Sequence, residues 1–283
     1  MLNSILAFAH AACANNTVDE FVANESTLRI AAFAIVFAAI AIWEAVVPRR
    51  ARRFKRIVRW PQNLALPAIN NLLLMLVAPG AEVGVAIAGQ AHGWGLLPAF
   101  GMPAWVQMVS AIVLLDLAIY LQHRVFHAVP VLWRMHRVHH ADTDFDVTTG
   151  LRFHPLEIAV STAFKCLMIA AIGASAAAVI AFEILLYASS MFEHANARMS
   201  TSVDRWLRWI VVTPDMHRVH HSSITNETNS NFGFNISCWD RLFGTYRPQP
   251  AAGHEAMQIG LEVFRSADEV RLDRVLAQAF RST

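Results

Sequence analysis

The sequence predicts an all-α protein, a multi-pass membrane helical bundle that carries a cytoplasmic histidine-rich cap. Three observations support this prediction. Charged residues make up only 16% of the 283 residues, compared with about 25% in soluble domains, and the mean hydropathy is +0.39. Apolar runs of membrane-spanning length alternate with polar segments. Ten of the 13 histidines lie between positions 123 and 221. The net charge of +2 gives no indication of a nucleic-acid partner.

The first apolar run, Thr27 to Val47, has 21 residues and predicts a transmembrane helix. Seven basic residues follow between Arg49 and Arg59, and the positive-inside rule places this basic loop in the cytoplasm. A nucleic-acid or lipid-headgroup patch is the weaker interpretation, because topology alone predicts basic residues here. Residues Met1 to Asn16 are apolar but lack the basic start of a signal peptide, so we expect a poorly ordered exterior segment.

Later apolar runs predict further crossings. Leu64 to Leu97 and Ala104 to Tyr120 are expected to cross the membrane twice. The run from Leu156 to Ser190 has 35 residues, too many for one span at about 1.5 Å per residue. It predicts a hairpin broken near Gly173, as two short spans or a re-entrant pair. The number of crossings must be even, because histidines on both sides of this run can meet only at one membrane face.

Three regions follow from this pattern: membrane helices and the basic loop in residues 1–103, the histidine-rich part in residues 104–248, and a C-terminal amphipathic tail in residues 249–283. In the tail, Ser266 and Glu269 have the spacing of a capping box that starts a helix. The three cysteines are scattered and odd in number, so the sequence predicts neither a disulfide framework nor a thiolate metal site.

The histidines form three spaced clusters. They are His123-x3-His127, His136-x2-His139-His140 and His217-x2-His220-His221, and the last two repeat the same six residues from Met135 and Met216 onward. On a helix, residues four apart have β-carbons about 5–6 Å from each other, so each cluster can aim imidazoles at one point. A single histidine is often an ordinary core or surface residue. Three spaced clusters instead favour half-sites of a metal centre.

His154 and His194 are predicted to join these clusters. They flank the predicted hairpin, so both lie on the membrane side where the three clusters are expected. His10, His92 and His254 stand outside the pattern and are predicted not to be ligands. Ten imidazoles exceed the four to six positions of one ion, so the sequence predicts two metals. Neutral nitrogen donors suit iron, zinc, copper or nickel, and ligand type alone does not choose among them.

Asp116 is predicted to support the centre from outside the ligand shell. Asp116, Tyr120, His123 and His127 project onto one face of a helix. A carboxylate inside an apolar helix is costly without a partner. We therefore expect Asp116 to hold Tyr120 or a ligand imidazole through a hydrogen bond without binding metal itself. The alternative is an aspartate that pairs with an unrelated polar group.

Together these motifs resemble the fatty acid hydroxylase superfamily, which includes the sterol desaturases and C-4 methyl sterol oxidases. The resemblance covers residues 105–248. The superfamily pattern includes a segment similar to Phe153-His-Pro-Leu-Glu157 between the histidine clusters. Its bacterial sterol desaturase-like members carry segments similar to Asn231-Phe-Gly-Phe and Trp239-Asp-Arg-Leu-Phe-Gly-Thr-Tyr246 after the last cluster. It implies a helical membrane bundle with an oxygen-dependent di-iron centre in a cytoplasmic cap. The eight clustered histidines map directly onto the family's ligands, namely His123, His127, His136, His139, His140, His217, His220 and His221; His154 and His194 match its additional histidines less closely.

The implied function is an integral-membrane di-iron oxygenase that hydroxylates or desaturates a lipid, such as a sterol or a fatty acyl chain. The implied cofactor is two iron ions, which zinc can replace in purified samples. The His-Pro-Gly-Gly motif of the haem domains fused to some relatives does not occur, so a separate redox partner is expected to supply electrons. A bacterial inner membrane is the expected location, with the histidine centre on its cytoplasmic face.

Two alternatives come from other functional classes. A metal transporter or store favours ionisable groups near the membrane midplane, whereas most histidines here are predicted to lie beyond the helix ends. A zinc hydrolase needs an open metal position and a nearby general base, and ten ring ligands leave little room for either.

Overall fold

The computed structural model describes residues 20–282. Within them the regular structure is helical, and extended pairing is limited to isolated bridges. The predicted all-α class is confirmed. The predictions for Met1 to Asn16, including the one for His10, lie outside the described residues.

The helices are α1 (Glu25–Val46), α2 (Arg56–Val77), α3 (Ala81–His92), α4 (Leu96–Ala99), α5 (Ala104–Ala128), α6 (Pro130–His140), α7 (Pro155–Ile172), α8 (Ala176–Glu193), α9 (Thr201–Leu207), α10 (Pro214–His220), α11 (Thr225–Thr228), α12 (Cys238–Leu242), α13 (Gly253–Ala256) and α14 (Leu272–Ala277). Four of them, α1, α5, α7 and α8, are long and apolar enough to span a membrane. A fifth candidate is the pair formed by α2 with residues 81–99, which is bent by 42°. The predicted multi-pass bundle is confirmed.

The hairpin of α7 and α8 breaks where the sequence predicts. Gly173 ends α7 in the left-handed conformation, with φ of 75°, which glycine adopts without a β-carbon clash. Ser175 then caps α8 by accepting a hydrogen bond from the backbone N–H of Ala178. A β-carbon at Gly95 would lie 2.1 Å from the backbone nitrogen of Gly173, so the two turns pack backbone to backbone.

A buried apolar cluster holds the bundle together. It is built from α3, α5, α7 and α8 and includes Leu115, Ile119, Ile169 and Phe182. The histidine-bearing segments form a cap at one end of this bundle, where α5 and α8 end and α7 begins. Both ends of the hairpin lie on this side, because the side chain of Ser190, near the end of α8, donates to the carbonyl of Gly150, ahead of α7. The requirement for an even number of crossings is therefore met.

Arg59 was predicted to lie in the basic loop, but the structure places it in a helix and buries it. Helix α2 begins at Arg56, and the Arg59 side chain is only 2% exposed. Its guanidinium bonds to the carboxylates of Asp142 at 2.5 Å and Asp146 at 2.6 Å. Asn63 also donates to Asp142. A buried arginine requires such pairing, and the result ties α2 to the segment that follows α6.

The C-terminal tail also departs from its predicted form. A 3-10 turn at Ala267–Val270 precedes the short helix α14, and the Ser266 side chain caps neither. Val275 of α14 packs against Leu66 and Val138. The tail therefore packs behind α6, which carries one histidine cluster.

Candidate metal centre

Nine of the ten predicted histidine ligands converge in two groups. The first group is His123, His127, His136, His140 and His220, and the second group is His139, His194, His217 and His221. Within each group the ligand nitrogens lie within 4.8 Å of one another. His127 is half-buried, and the other eight side chains are buried. Each group could therefore hold a metal ion, the first with five imidazoles and the second with four.

The two His-x-x-His-His repeats serve both groups with exchanged roles. On α6, His136 and His140 lie one turn apart and join the first group, while His139 turns to the second. On α10 and the residue after it, the outer pair joins the second group and the middle histidine, His220, joins the first. Each repeat therefore links the two sites, and each site depends on both repeats.

Three histidines outside the repeats complete the groups. His123 and His127 lie one turn apart near the end of α5 and point into the first group. His194 follows α8 directly and belongs to the second group. The membrane bundle thus contributes ligands to both sites from the ends of its helices.

Distances between ring nitrogens match those around a bound ion. Nε2 of His123 lies 3.0 Å from Nε2 of both His136 and His220. In the second group, Nε2 of His194 lies 3.0 Å from that of His221. Nitrogens about 2.1 Å from one ion in tetrahedral or octahedral geometry are about 3.0–3.4 Å apart. These spacings fit a shared metal.

The protonation pattern of the rings supports the same conclusion. Nδ1 of His123 faces the carbonyl of Phe232 at 2.8 Å, and Nδ1 of His220 faces that of Ser230 at 2.7 Å. His194 has the same kind of bond at 2.7 Å. A carbonyl only accepts hydrogen bonds, so each Nδ1 carries the proton and each neutral ring presents a bare Nε2 lone pair. Such lone pairs about 3 Å apart repel each other unless a cation lies between them.

Burial keeps these imidazoles in the form that binds metal. It lowers the pKa of His136 and that of His194 to about 3. Burial is also the main reason why the pKa values of His139, His217 and His221 lie well below the usual value for histidine. The rings are therefore neutral at pH near 7, as metal ligation requires.

Two buried glutamates beside the groups were not selected from the sequence. Oε1 of Glu157 lies 2.5 Å from Nδ1 of His136 and so orients that ring. Oε1 of Glu193 lies 3.8 Å from Nε2 of His217, and neither oxygen of this fully buried carboxylate has a hydrogen-bond partner among the described residues. The available signal was their place within Phe-His-Pro-Leu-Glu and Phe-Glu-His, an acid at the end of an apolar run.

Asp116 forms no hydrogen bond with Tyr120 or with a histidine, so its predicted bond to one of them is wrong. Its carboxylate accepts hydrogen bonds from the backbone of Asn235 and Ile236, from the Asn235 amide and from the indole of Trp239. It therefore anchors the segment that follows Phe232. Because the Phe232 carbonyl accepts from His123, the effect of Asp116 on the centre is indirect.

Tyr120 is placed near the centre but outside it. Its hydroxyl bonds to Oγ1 of Thr245 at 2.8 Å. Its ring packs edge-on against Phe232 and stacks on Phe243. Tyr120 lies one helical turn after Asp116 on α5. Both residues therefore support the segment that follows the last histidine cluster.

His154 lies outside both groups. Its Nδ1 accepts a hydrogen bond from the backbone N–H of Leu156, and its ring packs edge-on against Phe280. It acts as the N-terminal cap of α7, so we do not retain it in the ligand set. His92 and His254, predicted as non-ligands, are also placed outside both groups.

The sequence was also compared with known proteins. The fatty acid hydroxylase family model matches residues 108–245, a range that contains both histidine groups. Ornithine lipid hydroxylase from Rhizobium tropici is 30% identical over 183 residues, which cover 65% of this chain and 53% of that protein. Alkylglycerol monooxygenase from Xenopus tropicalis is 30% identical over 169 residues, covering 59% and 36% respectively.

Cholesterol 25-hydroxylase from Mus musculus is 26% identical over 158 residues, covering 52% of this chain and 50% of that protein. The chain thus spans about half of the length of these relatives or less. No solved structure matches it.

Proposed function

Because residues 108–245 of this chain match the fatty acid hydroxylase family, we propose that it is an integral-membrane oxygenase that hydroxylates a lipid at a centre of two iron ions. One observation carries the proposal: nine imidazoles converge at one end of an apolar helical bundle, and His123, His194 and His220 among them present a bare Nε2 atom. The three relatives named above are a lipid hydroxylase, an alkylglycerol monooxygenase and a cholesterol hydroxylase. These relatives favour hydroxylation over desaturation. Both reactions begin with the removal of hydrogen from an unactivated C–H bond.

The first and second histidine groups would each hold one ion. When bound, reduced iron supplies the activation of dioxygen that attack on an unactivated C–H bond requires. The protein supplies orientation, since the Glu157 carboxylate fixes the His136 ring and carbonyls fix His123 and His220. Burial of the rings excludes water, so the reaction is separated from solvent.

The stoichiometry of hydroxylation requires an electron donor. Inserting one oxygen atom of dioxygen into a C–H bond and releasing the other as water consumes two electrons and two protons. We propose that a separate redox protein delivers the electrons on the cap side.

The proposed orientation places the cap in the cytoplasm of a bacterial inner membrane. The basic segment after α1 lies against the cap, because Arg49 pairs with Asp215 and Arg50 donates to the carbonyl of Met257. The positive-inside rule then assigns both to the cytoplasmic side.

Heavy-oxygen labelling tests the function. We expect membranes that contain the iron-loaded protein, a reductase and labelled dioxygen to yield a lipid bearing one labelled hydroxyl, and the purified protein to hold two irons. The matched control is His139→Ala, which removes a buried ligand. A zinc-loaded protein that hydrolyses lipid without dioxygen, or one that moves metal across vesicles without altering lipid, would overturn the proposal.

A further inference from the structure

The side chain of Phe234 lies between the membrane bundle and both histidine groups. Its ring centroid is 5.2 Å from that of His123 in the first group and 6.4 Å from that of His217 in the second. The same side chain packs against the apolar cluster of the bundle. It is only partly buried, so it reaches from the protein surface to the centre. An apolar chain that replaced this ring would arrive beside both groups.

Two other approaches to the centre are lined by paired charges. The Arg59 guanidinium and the Asp142 carboxylate close the face beside α2. Arg218 pairs with Asp215 and lies over the ring of Phe145. A hydrocarbon chain entering there would have to separate buried ion pairs, which is strongly unfavourable. The Phe234 side requires the movement of apolar groups only.

The backbone around Phe234 is held on both sides. Asp240 accepts hydrogen bonds from the backbone N–H of Phe232 at 2.7 Å and of Gly233 at 3.0 Å. Asp116 accepts from the backbone N–H of Asn235 at 3.2 Å. These bonds leave rotation of the Phe234 side chain as the movement that opens a path with the least disruption. They also explain a carboxylate inside the apolar helix α5.

The surface next to Phe234 is suited to lipid. Trp206 and Trp209 are 72% and 61% exposed, and Ile210 is 68% exposed. The backbone joins this surface to the Phe234 segment, because the carbonyl of Ile210 accepts from the N–H of Ser237. Exposed tryptophans of this kind are typical of the membrane interface. The segment is moreover tied to the middle of the candidate span α5, so the surface continues the lipid-facing side of the bundle.

We propose that Phe234 is the residue that controls entry and selects the hydrocarbon chain of the substrate. A chain of a membrane lipid enters from the side where Phe234 packs against the apolar cluster of the bundle, displaces the Phe234 ring and places one of its carbons beside the histidines. The side chain at position 234 therefore sets which chain, and which carbon along it, is presented. This inference rests on the proposed function.

Photo-crosslinking tests the path without any need for turnover. Benzoylphenylalanine replaces Phe234 in metal-free, full-length protein reconstituted in phosphatidylcholine vesicles, and irradiation is expected to attach lipid. The matched control carries the same group at Phe145, which lies 5.3 Å from the ring of His194 on the cap side. Attachment at 145 as strong as at 234, or at neither position, would overturn the path.

Product analysis tests the selection. Phe234→Ala and Phe234→Leu are expected to shift the ratio of hydroxylated positions or chain lengths by about tenfold, the discrimination that one methylene of fit gives in an apolar pocket. Iron content is expected to remain at the wild-type value, because Phe234 supplies no ligand. Phe33→Ala, which removes a partly buried phenylalanine of α1 packed on Phe37, should leave the ratio unchanged.

The outcomes separate the two proposals. An unchanged product ratio in a folded, iron-loaded Phe234→Leu protein would refute selection at position 234. If the wild-type protein modified no lipid, the proposed function would fail, while crosslinking would still decide whether lipid reaches Phe234.

Discussion

At the scale of single residues, the centre is defined by which ring nitrogen each histidine leaves bare. Carbonyl oxygens fix the tautomer of His123, His194 and His220. The Glu157 carboxyl group contacts Nδ1 of His136 and orients that ring. These partners come from the segments that surround the centre, so the ligand geometry depends on residues that bind no metal.

The different roles of His220 and His154 give the first prediction. His220→Ala should remove the bridge between α10 and the first group, so metal content and turnover fall together. His154→Ala should retain both metals and lose only the cap of α7, which contributes about 1 kcal/mol. Metal analysis and thermal unfolding measure these effects, and His154→Asn should restore the cap. Loss of metal in a folded His154→Ala protein would return His154 to the ligand set.

Glu157 gives the second prediction. Glu157→Gln keeps the side-chain shape but replaces the carboxyl group beside Nδ1 of His136 with an amide, so we expect metal affinity or turnover to fall by about 10–100-fold, as is typical for partners of metal ligands. Glu262→Gln is the control, because Glu262 belongs to neither histidine group and does not bond to a histidine of either group. Equal metal retention in the two variants would contradict the role given to Glu157.

The third prediction concerns the pKa of the buried rings in metal-free protein. His136 and His194 have a pKa of about 3 in the folded state, below the unfolded value of about 6.5. The unfolded chain therefore takes up more protons as the pH falls below about 6.5. Stability is fully present above that pH and decreases towards pH 3, by up to about 1.4 kcal/mol per pH unit for each ring. Thermal midpoints that rise on acidification would disprove this account.

At the scale of elements, α5 links the bundle to the cap twice. Its end supplies His123 and His127, and its middle supplies Asp116, which anchors the segment through Asn235, Ile236 and Trp239. Helix and segment thus form one unit. Their separation would free the carbonyl of Phe232 and with it the orientation of a ligand ring.

The fourth prediction follows from that link. Asp116→Asn places amide hydrogens against groups that are themselves donors, so the segment from 232 to 239 should exchange its amide hydrogens faster. The protein should remain folded and partly metallated, with turnover lower by about 10–100-fold. Asp273→Asn, at an exposed site paired with Arg271, is the control. Wild-type exchange and turnover in Asp116→Asn would show that the carboxylate only packs the helix.

At the scale of the whole molecule, the buried charges join segments that are distant in sequence. The Arg59 pairs attach α2 to the cap. Within the bundle, Lys165 bonds to Glu183 at 2.6 Å and to Glu82 at 3.1 Å, which connects α7, α8 and α3. Because each charge is paired, these groups hold helices together and offer no free ionisable path across the membrane.

The fifth prediction concerns topology. In a protein whose native cysteines are replaced by serine, Lys55→Cys and Thr225→Cys should react with an impermeant maleimide from the cytoplasmic face, because both exposed positions lie on the cap side. Ala99→Cys, near the turn that packs on Gly173, should react only from the opposite face. Labelling of positions 55 and 225 from different faces would refute the arrangement.

The sequence by itself determined the features that depend on near neighbours in the chain. Run length and composition predicted the spans, glycine predicted the break at Gly173, and helical periodicity paired His136 with His140 and His123 with His127. The resemblance of the combined motifs identified the superfamily. Each of these signals is local, so it can be read before the chain is folded.

Only the tertiary structure decided which distant groups meet. It divided nine histidines into groups of five and four. It also placed the middle histidine of each repeat in the group opposite to that of the outer two, and it placed His154 at a helix cap. It also paired Arg59 with Asp142 and turned Asp116 towards Asn235. The physical reason is the same in each case: a buried polar group must find a partner, and which partner lies within reach is set by the packing of helices far apart in sequence.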